Sequence, residues 1–289
     1  KISSLKLYLQ QIYMYQISGK YDTLLLYIFL WRITMKEKLY TIPMNDAVNA
    51  GDECPFCFVE RDVEQDLMDL VLGSGSSYME ADMREKTDQA GFCRMHFKKM
   101  FDYGNTLGNA WILKTHYMDT RSKLQKAMDS YKPGKTSFIS KFSKSADAPM
   151  KNSVAAWIKE REGSCYICNS FDEMYERYLD TFFVMYKKDD EFKEKIKNSK
   201  GFCLTHFGDL CEAAETRLND KQKEEFFAML FPLMNDNMSR LQEDVNWMVE
   251  KFDYKNKDAD WKNSRDAIQR GMQKLKGGYP ADPVYQQKK

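Results

Sequence analysis

"CPFC" at residues 54–57 and "GFCRMHF" at residues 91–97 return later in the chain as "CYIC" at 165–168 and "GFCLTHF" at 201–207. The first element recurs after 111 residues and the second after 110. A weaker echo, "DTRSKLQ" (119–125) against "DNMSRLQ" (236–242), recurs after 117. Offsets that drift by a few residues over about a hundred describe a duplicated unit with small insertions.

Each copy reads Cys-x-x-Cys, a long gap, then Cys-x-x-His. The candidate ligands are Cys54, Cys57, Cys93 and His96 in the first copy, and Cys165, Cys168, Cys203 and His206 in the second. In Cys-x-x-His the three-residue spacing puts both side chains on one face of a helix. Gly91 and Gly201 permit a tight turn ahead of that helix, and a helix N-terminus stabilises a thiolate through its unpaired amide dipoles. Three thiolates and one imidazole form a closed tetrahedral set suited to a structural Zn²⁺. Two zinc ions per chain are therefore expected, each stapling its own unit across a gap of more than 30 residues. Loss of one set should then unfold one unit and spare the other. Such a centre carries one negative charge, which Arg94, Lys98 or Lys200 would offset. Two other readings use the same ligands: an iron–sulfur cluster, and a zinc- or redox-responsive regulator that releases its metal on thiol oxidation. Disulfides fit poorly, because each copy holds an odd number of cysteines. A thioredoxin-type redox pair would sit near a βαβ pattern, which is absent.

Outside these motifs the signals are helical. Val59, Val63, Leu67, Leu70 and Val71 follow Cys57 at three-to-four spacing, as Phe171, Met174, Tyr178, Phe182 and Met185 follow Cys168. Glu60, Arg61 and Glu64 read as the charged outer face of the first helix. Residues 108–130 and 221–252 also read as helices, with a kink expected near Phe231 where Pro232 falls. No run alternates as a strand does. The class is all-α. The 44 basic and 43 acidic side chains nearly cancel, which argues against a dedicated nucleic-acid binder. His116 reads as a surface or core histidine, Cys211 as a small buried hydrophobe, and Trp111, Trp157 and Trp247 as core or repeat-packing residues. "PGKTS" (133–137) lacks the spacing and preceding strand of a phosphate loop. No carboxylates pair as acid and base, so a non-enzymatic role is favoured.

Residues 1–34 contain no Ala, Val, Glu or Pro and read as a non-native upstream extension ahead of Met35. Their apolar run, "TLLLYIFLW" (23–31), is too short to span a bilayer and lacks a signal-peptide cleavage site. The remaining organisation is a first metal-binding unit (35–130), a linker rich in Lys, Ser and Pro (131–151), a second unit (152–256), and a C-terminal helix and tail (257–289). Residues 255–289 carry nine Lys or Arg against four Asp and read as solvated.

From Met35 on, the chain resembles an uncharacterised family of bacterial proteins, a domain of unknown function. "YTIPMNDAV" (40–48), "CPFC", "GFCRMHF", "CYIC", "GFCLTHF" and "ADPVYQ" (281–286) carry the likeness. The resemblance implies an architecture and no activity. The expected protein is cytoplasmic and zinc-binding, an interaction or scaffolding module with an unknown protein partner and no membrane association.

Overall fold

The computed structural model describes residues 39–75, 77–132, 152–283 and 285. The leading segment 1–34 and nearly all of the expected linker lie outside the described residues. Among the described residues every regular element is a helix and there is no strand, as the sequence pattern requires.

Helix α1 covers 39–49, and α2 runs from Pro55 to Leu72 with proline in its first turn, where a missing N–H costs nothing. The expected apolar stripe of α2 is inside: Val59, Val63, Leu67 and Val71 are all buried, while Leu70 is exposed. Helices α3 (Ala81–Ala90), α4 (Arg94–Tyr103) and α5 (Thr106–Ser130) complete the first half. The second half opens with α6 (Ser153–Glu162), then α7 (Tyr166–Lys188), α8 (Asp190–Lys197) and α9 (Leu204–Arg217). Helix α10 spans Asp220–Glu250, and a capping box between Asn219 and Gln222 sets its start. It continues unbroken through Pro232, so the proline does not interrupt it. Helix α11 (Ala267–Lys276) closes the chain.

The two halves share one core. Helix α2 packs on α7, and α7 in turn packs on α8 and α9. Phe56 is fully buried, with its ring 5.6 Å from Tyr175 and from Phe182 and 6.1 Å from Phe202. An aromatic side chain from the first half is thus surrounded by the second. Helix α4 lies along α2 in the same direction: His96 meets Glu64, and one to two turns further on the Tyr103 hydroxyl donates to Asp69 at 2.6 Å.

The three tryptophans are half-buried; Trp111 packs against the core, and Trp247 donates from its ring N–H to the Asp260 carbonyl at 2.9 Å. Two expectations are corrected here. The basic C-terminal stretch is not a solvated tail throughout. Helix α11 packs on α9 and α10 and buries Ala267, Gln273 and Lys274. Glu60 and Glu64 do not simply face solvent; their partners are described below.

Candidate metal centres

Four helices begin on a cysteine. Cys54, Cys93, Cys165 and Cys203 are the N-cap residues of α2, α4, α7 and α9, each with extended backbone angles. In each case the second motif residue follows three positions on, one turn into the helix. The left-handed φ of Gly91 (+68°) and Gly201 (+72°) makes the turn that brings the chain into α4 and α9. A Cβ at Gly201 would also sit 3.1 Å from the Met234 sulfur.

All eight expected ligands assemble, in two Cys₃His clusters, but with crossed partners. Centre A contains Cys54, Cys57, Cys203 and His206; centre B contains Cys93, His96, Cys165 and Cys168. The expectation that each centre staples its own half is therefore corrected. The reason lies in the geometry of α2. Glu64, the residue that meets His96, lies seven residues beyond Cys57, or about 10 Å along the helix axis at 1.5 Å per residue. One ion cannot bridge that distance, so Cys93 and His96 are completed by the cysteines at the start of α7.

In centre A the sulfurs of Cys54, Cys57 and Cys203 lie 3.3, 3.5 and 3.2 Å from Nδ1 of His206. In centre B those of Cys93, Cys165 and Cys168 lie 3.2, 3.2 and 3.4 Å from Nδ1 of His96. A tetrahedral ion with ordinary metal–ligand bonds would set sulfur and nitrogen about 3.5 Å apart. Either cluster could hold one metal ion. All seven cysteines are free thiols. The helix N-termini of α2 and α9 converge on centre A and those of α4 and α7 on centre B, favouring thiolates at both.

The electrostatics point the same way. Burial opposes a charge on His96, but Cys165 and Glu64 outweigh it and push its pKa up to about 10. At His206 burial is likewise outweighed, by Cys203 and Cys54, and the pKa is again about 10. Burial also opposes the Cys165 thiolate, yet His96 pulls its pKa down to about 6. Burial and the neighbouring sulfurs push the Cys168 thiol the other way, up to about 12, and Cys203 and Cys54 push the Cys57 thiol up; a cation between the sulfurs would relieve that repulsion.

The outer-face reading of Glu64 is corrected: its carboxylate faces His96. Nε2–H of His96 donates to its carboxylate at 2.8 Å, fixing the tautomer that leaves Nδ1 free to bind metal. Lys99 (2.6 Å) and the Tyr285 hydroxyl donate to the same carboxylate. Burial raises the Glu64 pKa, but these three donors together hold it down at about 2. Glu60, one turn earlier, approaches His206 Nε2 only to 4.0 Å. At the corresponding offsets of 111 and 110, Glu64 and Lys99 match Tyr175 and Asp209. Those two form a hydrogen bond of 2.8 Å, with the Tyr175 ring 5.5 Å from His206. Both positions flank the histidine, Glu64 through an ion pair and Tyr175 through a ring contact, its hydroxyl being taken up by Asp209.

A cavity of about 520 Å³ opens between α2, α4 and the segment after α11, residues 277–283 with Tyr285; Cys57, Glu60, Glu64 and Lys99 are among its walls. The other singled-out residues stand apart. His116 is half-buried beside Arg161, whose guanidinium lies 3.3 Å from its Nδ1. Cys211 is half-buried against the core, and burial pushes its thiol up. Of the three cations expected to offset the centres, Lys98 pairs with Asp102.

Fold and site together define an all-helical protein with two interlocked Cys₃His centres. The chain belongs to a family of unknown function, DUF6062, whose profile matches residues 35–282. No curated protein and no solved structure matches it. No helix among the described residues is long and apolar enough to cross a membrane.

Proposed function

We propose that the protein binds two structural zinc ions, each tying the first half of the chain to the second, and acts as a cytoplasmic interaction or scaffolding module. The observation that carries this reading is the crossed donor set: every position of each tetrahedron is filled by protein, leaving none for water or substrate. The donor atoms of each set lie within 4.8 Å of one another. That spacing matches one ion with sulfur ligands at about 2.3 Å. A cluster would interpose several iron and sulfide atoms between the same sulfurs. The recurrence of the motifs supports descent of the two halves from one duplicated unit.

Native mass spectrometry with elemental analysis tests the metal. Two zinc ions per chain is the expected result, and a brown protein with iron and labile sulfide would overturn it. The interaction role is supported by exposed apolar side chains on α4 and α5: Phe101 is 79% exposed, Tyr117 71% and Met118 66%. Tyr117→Asp with Met118→Asp should abolish binding of a co-purifying partner and leave both metals in place.

A further inference from the structure

The two centres are held by different devices. In centre B the ligand loops are joined directly, because the N–H of Tyr166 donates to the Gly91 carbonyl at 2.8 Å. Arg161 adds hydrogen bonds to the carbonyls of Asp88 and Gln89. In centre A the position matching Tyr166 is Pro55, which has no N–H to give. A side chain replaces it. The ammonium of Lys274, on α11, donates to the carbonyl of Glu53 and to that of Lys200, both at 2.6 Å. Glu53 precedes Cys54, and Lys200 leads into Gly201 and Cys203, so one buried cation clamps both ligand loops.

The clamp is itself locked. Lys274 and Glu53 are each 1% exposed, with Nζ 3.2 Å from a Glu53 carboxylate oxygen. Arg240 on α10 donates to that same oxygen at 2.6 Å, and Arg270 on α11 approaches the other carboxylate oxygen at 3.4 Å. Just past α11, Gly277 turns with φ +82° so closely over centre A that a Cβ there would lie 3.5 Å from the Cys203 sulfur and 3.7 Å from that of Cys57. All four residues of centre A are buried, whereas Cys93 and Cys168 of centre B are partly exposed, their sulfurs 4.0 Å apart.

Resting on the metal-binding reading above, we infer that the two centres are inequivalent: centre A is a sealed site whose retention of metal depends on the Lys274 clamp of the C-terminal helix, and centre B is the exchangeable one. Lys274 acts as a positioning residue. It touches the backbone that presents the ligands and supplies a positive charge beside a negatively charged centre. A chelator, or an acceptor protein with thiolate ligands, would remove metal from centre B while centre A keeps its own.

The test uses the full chain loaded with two zinc ions and a chromogenic zinc chelator. Release should be biphasic, half the metal leaving fast and half slowly. Iodoacetamide added after the fast phase, followed by peptide mass spectrometry, should label Cys93, Cys165 and Cys168 and spare Cys54, Cys57 and Cys203. In Lys274→Met the slow half should become fast while the fast half is unchanged. If that variant fails to fold, the labelling pattern of the parent decides alone. Release in a single phase, or labelling of the centre A cysteines first, would overturn the inference while leaving two bound metals intact. Absence of bound metal would instead overturn the proposed function.

Discussion

At the scale of single residues, the two centres depend on groups that neither motif contains. Glu64 fixes the ring of His96, and partners of this kind are worth about 10- to 100-fold in metal affinity. Glu64→Ala should weaken centre B by that order and leave centre A unchanged, as read by competition against a chelator of known affinity. His116 provides a separate, pH-dependent effect. Burial and then Arg161 hold its pKa below the ordinary 6.5, partly opposed by Asp119. Between the folded and unfolded values the unfolded chain binds more protons, so stability is complete above about pH 6.5 and falls as the pH drops through the folded value. Urea midpoints at about pH 7.5 and about pH 5.5 should differ less for His116→Asn than for the parent, since the asparagine does not titrate. An equal pH slope in both proteins would remove His116 from the account.

At the scale of elements, the glycines distinguish turns that the sites require from helix positions that they do not. Gly201 has a left-handed φ and Met234 close by. Gly201→Ala should destabilise the protein by about 1–2 kcal/mol and disturb centre A. Gly208 is exposed within α9, and a Cβ there would meet nothing within 4 Å. Gly208→Ala should stabilise the protein by about 0.5–1 kcal/mol. Thermal unfolding of the two variants checks both signs. Helix existence was readable from the sequence: the stripes after Cys57 and Cys168 lie on α2 and α7, and the spacing Cys-x-x-His lies on the first turns of α4 and α9. The long helix over 221–252 was readable too, and it lies on α10. Pro232 removes one of its backbone hydrogen bonds, while Leu230, Leu233 and Met234, buried on either side of the ring, keep it packed.

At the scale of the molecule, the crossed pairing of the candidate ligands changes what a single substitution does. With self-contained units, Cys93→Ser would unfold residues 35–130 alone. Because centre B also holds Cys165 and Cys168, its loss should release α4 from α7 and expose protease sites in both halves. Cys203→Ser should do the same from the other end. Limited proteolysis of both variants, with circular dichroism before and after chelator, reads this out. Cleavage confined to one half would contradict an interlocked core. Phe56→Ala, which empties the aromatic cluster shared by the halves, should cost about 3–5 kcal/mol.

By itself the sequence determined the helical class and picked out the eight candidate ligands that gather into two Cys₃His clusters. Those properties are local: they follow from apolar spacing along a helix and from donor atoms one turn apart. It could not determine which Cys-x-x-Cys joins which Cys-x-x-His, because the two copies are chemically interchangeable and either pairing gives the same ligand count. Only the tertiary structure decided that, by laying α4 along α2 two turns beyond Cys57, out of reach of one ion. The same packing of distant elements gave Glu64 and Lys274 their partners. Both would be ordinary surface charges in an isolated helix. Each became part of a centre because a segment far away in the chain closed over it.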